Sequence, residues 1–104
     1  MTDIKLGNGE EISRKHSTFQ IPHASDRGAL YVGDMAKLLF LAPDPGPGDI
    51  VGERMWARVS RVVSRNPSRY AGTLANQPTV VHLNLGDPVE FGPEHVIDII
   101  RPDA

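Results

Sequence analysis

The sequence predicts a mainly β fold, with an α+β version left open: a small, strongly bent antiparallel sheet or SH3-like partial barrel with at most one or two short helices. Three observations lead there. Apolar residues come in short runs bounded by turn formers, with 10 glycines and 9 prolines in 104 residues. Runs such as "ERMWARVSRVV" (53–63) alternate in period two. The three-and-four apolar spacing of an amphipathic helix is almost missing.

Residues 1–18 are polar and lack a sustained period, so they read as a loosely ordered lead-in, with the packed domain running from Phe19 to residue 104. After Ile21 and Pro22, the run Ser25 to Leu30 can open a turn or two of helix with Ser25 as N-cap, weakened by Gly28. This is the one helix expected in the first half. Ala36 to Leu41 is apolar on both faces except at Lys37, as in a strand covered on both sides. "APDPGPGDIV" follows with three prolines and two glycines, and residues 43–52 are expected to form a mobile loop. Glu53 to Val63 reads as a strand, Asn66-Pro67-Ser68 as a turn, and Tyr70 to Ala75 as the returning strand of a hairpin with a four- to six-residue connection.

Leu30-Tyr31-Val32-Gly33-Asp34 is echoed by Leu83-Asn84-Leu85-Gly86-Asp87, each before an apolar run. Gly tolerates positive φ and Asp can bond nearby backbone, so the echo predicts two similar turns rather than a duplicated function. Val89 to Phe91 and Val96 to Ile100 complete the strands, while "PTVVHLNL" fits a strand or one helical turn.

The formal charge of -2 argues against a surface that is a general trap for nucleic acid or anionic membrane. The lack of cysteine excludes disulfides, thiolate metal sites and a thiol nucleophile. The amino terminus mixes acids and bases where a signal peptide needs an apolar run, and "MAKLLFLA" is too short to span a bilayer. A soluble, cytoplasmic chain is expected.

Glu53-Arg54-Met55-Trp56, "GTLANQP" (72–78), "LGDPVEF" (85–91) and Val96-Ile97-Asp98 occur in an order that resembles the YegJ-like family of small uncharacterised bacterial proteins. The resemblance covers residues 53–98, with "FQIP" and "YVGDMAKLLF" looking like parts of a longer variant. It implies no catalytic residues. Similar small domains occur among bacterial immunity proteins, which implies inhibition of a partner protein as one role.

For chemistry, alternation sends Met55, Ala57 and Val59 to the core and Arg54, Trp56, Arg58 and Ser60 to the other face. Two guanidinium groups then flank the indole at i±2, a spacing read as cation–π capping. Trp and Arg are the types that most often anchor interfaces, so Arg54, Trp56 and Arg58, extended by Asn76 and Gln77 in the loop that ends at Pro78, form the candidate binding site. Another protein is the expected partner; oligomeric state stays open.

The alternative is a nucleic-acid-binding small barrel. Arg54, Arg58, Arg61, Arg65 and Arg69 are unbroken by an acid, and Trp56 and Tyr70 would serve as stacking platforms. Pairing of these arginines with Asp87, Glu90, Glu94, Asp98 and Asp103 would oppose it. His16, His23, His82 and His95 lack metal-ligand spacing, and "PGPGDIVG" lacks the order of a phosphate loop. No metal and no cofactor are expected. Glu90 and Glu94 are split by Gly92-Pro93, and there is no GxSxG, so the chain is read as non-enzymatic.

Overall fold

From Met55 to Val59 every second side chain is apolar, and the chain runs there as one extended strand from Gly52 to Arg65. The computed structural model describes residues 5–41, 52–77 and 83–102. In chain order these hold β1 (Lys5–Leu6), α1 (Gly9–Lys15), α2 (Ala24–Arg27), β2 (Met35–Leu41), β3 (Gly52–Arg65), β4 (Ser68–Leu74), β5 (Pro88–Phe91), a 3₁₀ turn (Pro93–His95) and β6 (Val96–Ile100).

β2, β3, β4 and β5 are joined in that order, all antiparallel. The other edge of β2 is shared, by β1 opposite Phe40 and Leu41 and by β6 opposite Met35 to Leu38. Register shifts between Val59 and Arg61, and between Val62 and Ser64, insert extra residues into β3. Such bulges bend a strand and raise its twist, which curls the sheet into the predicted partial barrel. Inside the curl lie Leu38, Phe40, Met55, Val59, Tyr70, Phe91 and Val96, all buried. Tyr70 and Phe91 face each other across β4 and β5 with ring centroids 5.3 Å apart.

Several elements differ from expectation. Residues 5–15, read as a lead-in, carry β1 and α1. Asn8 caps α1 by accepting from the Glu11 N–H at 2.9 Å, Glu10 and Glu11 occupy its first turn, and Arg14 and Lys15 its last, as the helix dipole favours. A Cβ on Gly9 would lie 2.7 Å from the Ile97 side chain, so glycine lets the helix start approach β6. α2 is capped by His23, whose Nδ1 accepts from the Ser25 N–H, and not by Ser25. The hairpin connection is Asn66 and Pro67 alone, because Arg65 and Ser68 already pair. The outer side chains of β2 are half-buried rather than covered, and neither α1 nor α2 makes an extended contact with β2. The expected mobile loop, up to residue 51, and residues 78–82 of "PTVVHLNL" fall outside the described residues; Gly52 already belongs to β3.

The two Gly-Asp segments are turns of one design. Gly33 and Gly86 have φ of 98° and 89°. Asp34 and Asp87 each accept, through Oδ2, from the N–H three residues back, Tyr31 at 2.9 Å and Asn84 at 2.8 Å. Each turn also clamps a neighbouring strand: Gly33 N–H donates to the Val59 carbonyl and Val59 N–H to the Asp34 carbonyl, while Gly86 and Leu74, then Leu74 and Asp87, repeat the pattern. Gly33→Ala and Gly86→Ala are each expected to cost about 1–2 kcal/mol from backbone strain. An added Cβ meets nothing within 4 Å at either site, so chemical denaturation should give similar losses for both. A loss at one turn only would contradict their equivalence.

The 3₁₀ turn is closed by His95, whose Nδ1 accepts from the Gly92 N–H at 3.0 Å and therefore must be unprotonated. Burial holds the His95 pKa below its ordinary range; Glu94 and Glu10 oppose the shift and Arg69 adds to it. In the unfolded chain the ring takes its proton near about pH 6.5. Folding stability from this group is thus complete above that pH and is lost as pH falls through the depressed folded value. Urea midpoints should drop below pH 6.5, and His95→Asn, whose Oδ1 can still accept, should flatten that dependence. An unchanged acid limb would assign the loss to other groups.

Candidate functional site

The alternation of β3 holds as predicted: Met55, Ala57 and Val59 are buried, while Arg54, Arg58 and Ser60 are exposed and Trp56 is half-buried on the outer face. Both backbone groups of Trp56 are tied to the end of β4. Its N–H donates to Asn76 Oδ1 at 2.8 Å, and its carbonyl accepts from the Ala75 N–H at 2.8 Å. The indole is thereby mounted on a fixed stretch of backbone.

The cation over that indole is Lys37, not an arginine. Lys37 lies opposite Trp56 in register, with Nζ 5.3 Å from the ring centroid. Cross-strand neighbours on one face stand about 4.5–5.5 Å apart, whereas i and i+2 on one strand are separated by about 6.6 Å. The partner strand therefore supplies the nearer cation. Arg54 instead covers Phe19, its guanidinium carbon 5.5 Å from that ring. Among the described residues Arg58 has no side-chain hydrogen bond, ion pair or ring partner, so its guanidinium is offered to solvent beside Trp56.

Asn76 and Gln77 reach the site as fasteners. Gln77 Oε1 accepts from the Leu85 N–H at 3.1 Å, and its Nε2 donates to the Leu83 carbonyl at 3.4 Å. Together with the Asn76 bond, these contacts connect Trp56 to the second Gly-Asp turn, whose tip, Leu85, is 61% exposed. Lys37, Phe19 and Leu85 are the site residues that sequence reasoning missed. An exposed turn tip between Gly-permissive residues was a visible signal for Leu85; cross-strand register, which positions Lys37, was not visible.

The stacking role expected of Tyr70 fails, because the ring is fully buried and its hydroxyl is engaged. It donates to the Arg27 carbonyl at 2.8 Å and accepts from the Leu30 N–H. Of the basic hairpin, Arg65 is spent on the Gly28 and Leu30 carbonyls and the Tyr31 ring, and Arg69 pairs with Glu94 at 3.4 Å. Arg69 is the one hairpin arginine paired with a carboxy-terminal acid among the described residues. What stays available is Arg54, Arg58 and Lys37 around Trp56, and further along β3 the exposed Arg61, which like Arg58 has no side-chain partner among the described residues, with Asp98 on β6 opposite Lys37 and Glu90 on β5 beyond β4.

Beside this cluster, between the segment after α1 and the β2–β6 edge, is a cleft of about 530 Å³ whose lining includes Ile12, Phe19, Lys37, Arg54, Ile97 and Asp98. Among the described residues no helix is long and apolar enough to cross a membrane, and no group of three or more His, Asp or Glu side chains converges as a metal site requires. The chain matches no protein-family model, no curated protein and no solved structure.

Proposed function

We propose that the chain is a non-enzymatic module that binds another protein through the outer face of β2 and β3, around Trp56. The observation that carries this reading is a half-buried tryptophan on the solvent side of the sheet, held by Asn76 and Ala75 and ringed by Lys37, Arg54 and Arg58. Aromatic and arginine side chains carry most interface energy, and a surface already fixed loses little entropy on binding. Inhibition of a partner, as by an immunity protein in the cytoplasm, suits such a face and accords with the YegJ-like resemblance.

A polyanion fits less well. The positive patch is bounded by Asp98 on one flank and Glu90 on the other, while Tyr70, Arg65 and Arg69 are occupied internally. The experiment is capture from the native cell extract by wild type and by Trp56→Ala, followed by rebinding of any captured protein in purified form. Capture that depends on Trp56 and survives nuclease treatment supports the module. A partner retained equally by both chains overturns it.

A further inference from the structure

Resting on that reading of the face, we propose that the cleft beside it recognises a partner segment in which a carboxylate side chain is followed by an apolar one. The cleft's apolar lining comes from three elements: Ile12 on α1, Phe19 after it, and Ile97, 7% exposed, on β6. Its cations are Lys37 and Arg54. Neither is in an ion pair among the described residues; each rests on an aromatic ring, Lys37 on Trp56 at 5.3 Å and Arg54 on Phe19 at 5.5 Å. A ring holds a cation by its face and leaves N–H donors free, so both groups are positioned without their hydrogen-bonding capacity being consumed. A carboxylate is the anion that such donors take with strong, charge-assisted bonds.

Asp98 sets the charge of the ligand. It faces Lys37 in register yet forms no ion pair with it, and its Oδ1 accepts instead from the Ile99 N–H at 2.8 Å. A fixed negative charge in the lining repels a polyanion while tolerating one carboxylate near the two cations. The volume, about 530 Å³, lies in the ~300–1,000 Å³ range of sites that take small ligands or a few side chains. A carboxylate at the cations with an apolar neighbour against Ile12, Phe19 and Ile97 satisfies both halves of the lining.

The probe is a capped hexapeptide holding one Glu-Leu pair among serines and glycines, titrated into the whole chain while amide shifts and Trp56 fluorescence are followed. Saturable shifts at Phe19, Lys37, Arg54 and Ile97 are expected, with a lysine–leucine hexapeptide giving none. Lys37→Gln combined with Arg54→Gln should weaken binding at least about tenfold, because both charge-assisted donors to the carboxylate are lost. Preserved shift dispersion and a cooperative thermal transition, lowered by a few degrees at most, show that the variant is folded. Equal binding of both peptides, equal binding by the variant, or shifts elsewhere overturn the proposal. N-acetylleucine binding as tightly as the peptide would make the occupant a free carboxylic acid and also overturn it. If capture depends on Trp56 but not on Lys37 and Arg54, the cleft fails and the face stands; if the peptide binds here but capture ignores Trp56, the face fails alone.

Discussion

Arg27→Met is expected to destabilise the fold by about 2–4 kcal/mol, the largest loss from any single polar side chain outside the proposed interface. The Arg27 side chain is 7% exposed. Its Nη1 donates to Glu10 Oε2 at 2.6 Å and to the Pro93 carbonyl at 2.9 Å, while Nε donates to the Pro22 carbonyl at 2.8 Å. One guanidinium thus joins α1, the segment before α2, and the turn before β6. Its own carbonyl accepts from the Tyr70 hydroxyl in the core.

Methionine keeps the aliphatic bulk and removes the donors, so two carbonyls and a carboxylate lose their partner together. Glu10 is 36% exposed and can turn to water, which places the cost below that of a fully buried broken pair. Urea unfolding measures it. Glu10→Gln should cost less than Arg27→Met because the carbonyl bonds survive, and the double variant should be clearly non-additive. A loss below about 1 kcal/mol for Arg27→Met would show that the three elements are held by apolar packing alone.

The same clamp shows what a sequence can and cannot disclose. The faces of β3 were legible because alternation is a local property, and both Gly-Asp turns were legible because positive φ selects glycine and an Asp side chain reaches its own turn. α1 was not legible from periodicity, since Ile12 is its one large apolar residue. Its ends carried the signal: Asn8 followed by Glu11 is a capping pattern, and acids then bases along the segment match the helix dipole. Reading charge placement as well as hydrophobic period would have found it.

Misreadings at the site share one cause. Tyr70 looked like a surface ring because its hydroxyl partners, Arg27 and Leu30, are some forty residues away in sequence and adjacent only after folding. Lys37 was a lone interruption in an apolar run until register set it opposite Trp56. Arg65 and Arg69 read as a free basic stripe, yet the bulged end of β3 carries Arg65 to the Gly28 and Leu30 carbonyls, and the start of β4 sets Arg69 beside Glu94. Composition shows which side chains can pair; the sheet decides which do.

Trp56→Ala is expected to separate binding from stability. The indole lies opposite the core side of β3 and is half-buried, so its removal leaves a depression on the outer face instead of an internal cavity. The stability cost should be about 1 kcal/mol, below the roughly 3–5 kcal/mol of truncating a core aromatic. Part of it is the contact with Lys37, worth about 0.5–1 kcal/mol at an exposed site. The hydrogen bond from the residue-56 N–H to Asn76 does not depend on the side chain, so the strand should keep its path. In the wild type, iodide should quench the indole efficiently, because Lys37, Arg54 and Arg58 concentrate anions around it, and added salt should weaken the effect. Against a captured partner the loss should be at least about 2 kcal/mol, roughly thirtyfold in Kd, as for a central interface anchor. Arg58→Ala should lower affinity less, its charge being screened by solvent, and leave the melting temperature nearly unchanged. A protected indole together with a core-sized stability loss would make Trp56 a packing residue and Lys37 merely its cover. The reverse pair of results, an accessible ring and a large loss of affinity at small structural cost, is what a binding surface built on one strand face requires.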